Sequence, residues 1–320
     1  MSGVYVVLVL VLLVGCLGLV GCSQSSEPKQ EPSKEIRLGI VPLPHYAPFW
    51  IAKKKGFLDE ELQNAGFRLQ WQPFSLGPMV NEAFAAGKID LGVMGDFPAV
   101  AGRAAGTDYR IAGEMSRAPK ALALVVKEGS GIRSVQELRG KKVATTRGAY
   151  GQKLLALLLE KNGLQQNDIS FVNMSMEDLA PALLRGDVDA GVMWDPILTK
   201  LESQREIRIL ADGTDVYNGY AVLLASGDVL ECYPAAVSAV LRAYQRGKDY
   251  MEKNQTESVK LLLEDMKMPQ EQLVVILKKF RYGAPLDEAF EKDLQNTQIF
   301  MHQQGVIKSP IDVKSFIFRS

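Results

Sequence analysis

Asp96 and Asp195 end two fourteen-residue stretches that match at an offset of 99 residues (195 − 96). Carboxylates at matched loop positions can hold an amine, orient backbone N–H groups or move a proton. The first stretch runs from Ala83 to Asp96 and the second from Ala182 to Asp195. The two agree at Ala83/Ala182, Gly87/Gly186, Asp90/Asp189, Gly92/Gly191, Val93/Val192, Met94/Met193 and Asp96/Asp195. Each reads as a helix end, a glycine stop, a short apolar strand and a carboxylate just past it. Glycine suits the left-handed residue that closes a helix. Leu91 to Met94 and Ala190 to Met193 have the apolar runs of strands buried on both faces. A period this long is no solenoid repeat and predicts two similar α/β lobes. Ligands of open α/β sheets sit beyond the carboxyl ends of the strands, so Asp96 and Asp195 are expected to face each other across a cleft.

Further loops converge on that cleft. Pro44 and His45 belong to a proline-stiffened loop after the first strand, residues 42–48. Gly95, Asp96 and Phe97 precede Pro98, which suits the first turn of a helix. Thr146, Arg147, Tyr150 and Gly151 also lead into a helix, offering a hydroxyl and a guanidinium. Helix N-termini present free N–H groups and favour anions. Arg147, if it points inward, gives bidentate recognition of an oxyanion. Trp194 sets an aromatic face beside Asp195, Ser75 adds a hydroxyl, and Asn218 stands before a second apolar crossing.

Catalysis has little support. The chain has 2 histidines, His45 and His302, and no His-x-x-x-His, Cys-x-x-Cys, Gly-x-Ser-x-Gly or Walker pattern. No metal and no cofactor are expected. Lys+Arg 37 balances Asp+Glu 37 without a basic block, which argues against nucleic acid. A hydrophobic content of 47% over 320 residues is ample for sizeable cores.

Val4 to Val20 is almost wholly apolar and ends in Leu19-Val20-Gly21-Cys22, followed by polar residues. This reads as a secretory signal, and its ending resembles a bacterial lipobox with the lipid on Cys22. Cys16 also fits the pattern, and Met1-Ser2-Gly3 lacks the usual basic residue. An uncleaved membrane anchor is the other reading. Residues 22–34 have the composition of a flexible tether. Beyond Cys22 only Cys232 remains, so the mature chain has no internal disulfide.

From Glu35 strands and helices alternate. The spacing predicts a first lobe from 35–126, a second from 127–219, and a return crossing with a helical tail on the first lobe over 220–320. Two crossings make a hinge, and closure around a ligand is its ordinary motion.

Five stretches together resemble a known family: 38–42, 52–58, 86–98, 138–144 and 186–196. They are similar to the periplasmic or lipid-anchored substrate-binding proteins of ABC importers for nitrate, taurine and aliphatic sulfonates. Gly95-Asp96-Phe97-Pro98 leans toward the sulfonate branch. The resemblance implies a two-lobe periplasmic-binding-protein-like (type II) α/β fold with a hinge and a ligand held by helix N-termini of both lobes. By position it carries over Ser75, Gly95, Asp96, Tyr150, Trp194 and Asp195. It also implies an ABC permease and its ATPase as partners, and a monomer attached to the membrane through its lipid. Ala149 stands where members often carry a small hydroxyl residue. Two uncompensated carboxylates would repel a bare inorganic anion, and would suit a zwitterion such as taurine or a neutral pyrimidine precursor better. Nitrate binding, or an enzyme of the pyrimidine-synthase kind on a similar fold, are the alternatives.

Overall fold

The computed structural model describes residues 34–75 and 77–319. The signal segment, Cys22 and the tether up to Ser33 lie outside the described residues.

The chain opens with β1 (Lys34–Ile40), a 3-10 turn at Pro44–Tyr46, α1 (Ala47–Lys54), α2 (Phe57–Asn64), β2 (Phe67–Pro73), α3 (Gly77–Ala85), β3 (Leu91–Gly95), α4 (Asp96–Ala104) and β4 (Tyr109–Arg117). Then come β5 (Leu122–Lys127), β6 (Lys142–Thr145), α5 (Tyr150–Lys161), β7 (Ser170–Asn173), α6 (Met176–Arg185), β8 (Ala190–Trp194), α7 (Ile197–Ser203) and β9 (Ile207–Asp212). β10 (Tyr220–Ser226), α8 (Gly227–Cys232), α9 (Pro234–Lys253), α10 (Gln255–Met266), α11 (Gln270–Leu277), β11 (Arg281–Ala284), α12 (Glu288–Gln303) and α13 (Val313–Phe316) follow.

Two mixed sheets define two lobes. The first has the order β11-β4-β10-β3-β1-β2 and the second β7-β6-β8-β5-β9. The sequence repeat is a structural repeat. β3 runs parallel to β1 and antiparallel to β10, and β8 runs parallel to β6 and antiparallel to β5. Gly87 and Gly186 close α3 and α6 at φ 63° and 87°, where an L side chain is strained. The next aspartate in each copy ties its strand to its neighbour: Asp90 accepts the Arg37 N–H at 2.8 Å, and Asp189 accepts the Lys142 N–H at 2.8 Å. Gly92 and Gly191 admit the overlying helices. A Cβ on Gly92 would meet Phe84 at 2.7 Å, and one on Gly191 would meet Leu179 at 2.7 Å.

The lobes exchange strands. β5 follows β4 in the chain but pairs with β8 and β9, and β10 follows β9 but pairs with β3 and β4. The first crossing therefore lies at 118–121, and not near Lys127 as the hydrophobic pattern suggests. β5 is buried over Leu122 to Val126, and a strand apolar on both faces carries no mark of the sheet it joins. The crossings lie side by side: the Ala118 N–H donates to Asn218 at 2.9 Å, and the Gly213 N–H donates to Pro119 at 2.9 Å.

The tail is not wholly helical. α9 buries Ala236, Val237, Val240, Ala243 and Tyr244 in the same core as β1, β3, α1 and α4. α11 stops at Leu277, and β11 then adds an edge strand to the first sheet against β4. Four residues, Arg281-Tyr282-Gly283-Ala284, are too short and too mixed for an alternating strand pattern. β7 is likewise short, with no fully buried residue.

Candidate functional site

α4 starts directly from Gly95 at the end of β3, and α5 starts from Ala149 just past the end of β6. No side chain at either N-cap, Gly95 or Ala149, accepts a hydrogen bond from the first turn. The first N–H groups of a helix need acceptors, and two such ends in one cleft are suited to an anion. Tyr150 packs against the cores of both lobes. Burial, with Tyr46, Asp195 and Asp96 nearby, pushes its hydroxyl well above the usual phenol range. Its ring lies 4.8 Å from that of Trp194. Gly151 permits that wall, since a Cβ there would meet the Thr145 hydroxyl at 2.6 Å and Trp194 at 3.4 Å.

Asp96 and Asp195 are not uncompensated. Both are buried. Asp96 accepts the Tyr217 hydroxyl at 2.8 and 3.1 Å and the Thr297 hydroxyl at 3.3 Å. Burial raises its carboxyl above the usual range, opposed first by the charge of Lys153 and then by Tyr217. Asp195 accepts the Thr199 N–H at 2.9 Å, which caps α7, and its other oxygen lies 3.1 Å from Lys279 Nζ. That contact meets the ion-pair distance without good hydrogen-bond geometry, so it counts here as charge compensation only. With both carboxylates partnered, the objection to an anionic ligand falls away.

Arg147 does not turn inward. It is exposed, its guanidinium lies 5.1 Å from the Phe171 ring, and its backbone N–H donates to Asn173. A guanidinium over the ring face of a residue of its own lobe gains contact while staying exposed. Phe97 is fully buried in the first lobe, its ring 6.4 Å from Phe300, and its backbone N–H serves the Asp96 carboxylate. Thr146 donates its hydroxyl to Met174 at 2.9 Å. Asn218 donates to Tyr220 at 2.9 Å and to Asp293 at 2.8 Å, holding the second crossing to α12. Ser75 is exposed after β2. Pro44 is buried and its carbonyl accepts the Tyr282 hydroxyl at 2.7 Å.

His45 packs edge-on against Phe280, with ring centroids 4.6 Å apart. Its Nδ1 is buried and finds no partner among the described residues. Burial pushes the imidazole down to about 4, so it is neutral near pH 7. The unfolded chain takes up this proton near pH 6.5 and the folded one only near 4, so stability falls as pH drops through that window. A drop of up to about 3 kcal/mol is expected between pH 6.5 and 4. His45→Gln should flatten the urea-unfolding profile there, whereas an unchanged slope would place the titration elsewhere.

Four residues of this cluster escape the sequence reading. Lys153 donates to Thr297 at 2.5 Å and sits 4.2 Å from the Tyr217 ring centre. Lys279 donates to Thr199 at 2.7 Å. Lys153 had a signal: it interrupts the apolar face of α5 beside Leu154 and Leu155, and a buried lysine needs partners. Tyr217, Thr297 and Lys279 meet their partners only through the tertiary fold.

Two lobes joined by paired crossings, with helix N-termini and aromatic walls meeting between them, define a periplasmic-binding-protein fold. The chain belongs to the NMT1/THI5-like family, whose model matches residues 43–258. It is 31% identical over 320 residues to a Bacillus subtilis (strain 168) protein named for binding aliphatic sulfonates, covering 98% of this chain and 93% of that one. The crystal structure of the periplasmic aliphatic sulphonate binding protein SsuA of Escherichia coli superposes with a TM-score of 0.83 at 27% identity, covering 90% of this chain and 93% of that one. The alkanesulfonate-binding protein SsuA of Xanthomonas axonopodis pv. citri, solved with bound MOPS, gives 0.79 at 27% identity over 91% and 99% of the two chains.

Proposed function

We propose that this chain is an extracytoplasmic solute-binding protein that closes on a small organosulfonate and delivers it to an ABC permease and its ATPase. The observation that carries this reading is that α4 and α5 each start without a side-chain N-cap, with Tyr150 at the start of α5 packed on the cores of both lobes and the carboxylates of the two repeats already partnered. Backbone N–H groups can take the sulfonate oxygens, and the Tyr150 and Trp194 rings offer apolar surface to the organic part. Ser75, Gly95, Thr146 and Gly151 stay in the proposed lining, while Phe97, Asp96, Asp195 and Asn218 act from behind it by holding the loops. The relatives named for aliphatic sulfonates support this ligand class. Binding without turnover rests on the relatives named as binding proteins. Mass spectrometry of the small molecule released from denatured, freshly purified protein tests it. A sulfonate in near-stoichiometric amount supports the proposal, whereas a pyrimidine or a chemically converted product contradicts it.

The lipid anchor on Cys22 is part of the same proposal, and it rests on Leu19-Val20-Gly21-Cys22. Cys22→Ala should move the protein from the membrane fraction to the soluble one, or block its maturation. Unchanged attachment would assign the lipid to Cys16 or leave an uncleaved anchor.

A further inference from the structure

Asp96 and Asp195 occupy the same place in the two copies of the repeat, and each is served by a lysine from across the cleft. Lys153 stands on α5 of the second lobe. It donates to Thr297 on α12 at 2.5 Å, and the Thr297 hydroxyl shares its one proton between the Asp293 carbonyl at 2.9 Å and Asp96 of the first lobe at 3.3 Å. α12 belongs to the first lobe, since Phe290, Leu294 and Met301 share its core. Lys279 has the opposite origin. It lies two residues before β11, a strand of the first sheet. It reaches the second lobe, with Nζ 3.1 Å from Asp195 and 2.7 Å from the Thr199 hydroxyl. The neighbouring Phe280 packs with Ala118 and Ala121 of the first crossing, so Lys279 is anchored beside the hinge.

We propose that Lys153 and Lys279 are positioning residues of a reciprocal latch, each compensating the repeat aspartate of the opposite lobe, which together hold the lobes closed. The chemistry favours this role over simple core packing. Lys153 is 3% exposed and the Lys279 side chain 13%, and a buried ammonium is retained only where partners compensate it. Opening the cleft would draw Lys153 away from Thr297 and Asp96, and would loosen the Lys279–Asp195 contact by a smaller movement beside the hinge, while letting water back to the charges. The contacts therefore bias the open–closed equilibrium more than they hold either lobe together. Because the same position in both repeats is used, the two latches release together when the lobes part. The inference rests on the two-lobe binding reading but not on which ligand is bound.

The test is small-angle scattering of the ligand-free full chain, which involves no ligand at all. Lys153→Met, Lys279→Met and the double variant are compared with the wild type, with circular dichroism as the check on folding. The closed-to-open ratio should fall roughly tenfold per lysine removed, and the maximum dimension should grow from wild type to single to double variant. Lys279→Gln guards against a variant that fails to fold, since it keeps a neutral donor for Thr199 while removing the charge, and it should expand the particle as Lys279→Met does. Ethanesulfonate titrations of the same proteins should show dissociation accelerated by a similar factor. A folded double variant, or a folded Lys279→Gln variant, that scatters as the wild type does would overturn the latch. Failure of ethanesulfonate to bind any of them, with the expansion still present, would count against the ligand reading and leave the latch standing.

Discussion

Replacing Asp195 with alanine will lower stability by about 3 kcal/mol, near the lower end of the cost of breaking a buried ion pair. Two losses combine. The Thr199 N–H, now 2.9 Å from the carboxylate, loses its acceptor at the start of α7. Lys279, 3.1 Å from the other oxygen, is left with a buried ammonium and a single hydroxyl partner. The lower end of the range applies because Lys279 keeps some access to water. Asp195→Asn should cost roughly half as much, since an amide oxygen still caps the helix while the charge is lost. Urea unfolding of the three proteins measures this order. Equal costs for Asn and Ala would mean that the ion pair matters and the cap does not.

Asp96→Asn is the second large effect, and it also separates two accounts of the ligand. The carboxylate holds two hydroxyl donors, Tyr217 and Thr297, and compensates the charge of Lys153. An amide oxygen can serve the hydroxyls only in part, and its N–H₂ would meet hydroxyl oxygens that Lys153 also uses, so a loss of about 2–3 kcal/mol in stability is expected. The effect on binding should be the same for ethanesulfonate and for taurine, because the carboxylate faces protein. A selective loss for taurine would instead show Asp96 reaching the ligand's ammonium group, as its loop position taken alone suggests.

That contrast shows what the sequence could and could not reveal. The repeat was legible because helix stop, buried strand and following carboxylate each leave a local mark, and Gly87, Gly186, Gly92 and Gly191 are all required by local backbone or close packing. The positions of Asp96 and Asp195 at strand ends were legible for the same reason. Their partners were not. Tyr217 is 121 residues from Asp96, and Thr297 is 201 residues away, and no spacing rule connects residues brought together by a strand exchange and a returning tail. Arg147 misleads in the opposite way. A guanidinium in a loop before a helix has the right chemistry for an oxyanion, but Phe171 on its own lobe offers it a seat without leaving water. The boundary at β5 fails because an apolar strand looks alike in either sheet. The ligand-facing surface is thus read best where backbone supplies it, at the starts of α4 and α5, and worst where long side chains choose among distant neighbours.

The central claim is that the cleft binds a small organosulfonate and leaves it unchanged. Calorimetric titration of the ligand-stripped protein with ethanesulfonate, followed by mass spectrometry of the recovered compound, tests it most directly. The account predicts saturation at one ligand per chain, recovery of intact ethanesulfonate, and a rise in unfolding free energy of about 2.7 kcal/mol at a hundredfold excess over Kd. No heat and no stabilisation at millimolar ethanesulfonate, or recovery of a cleaved product, would contradict it.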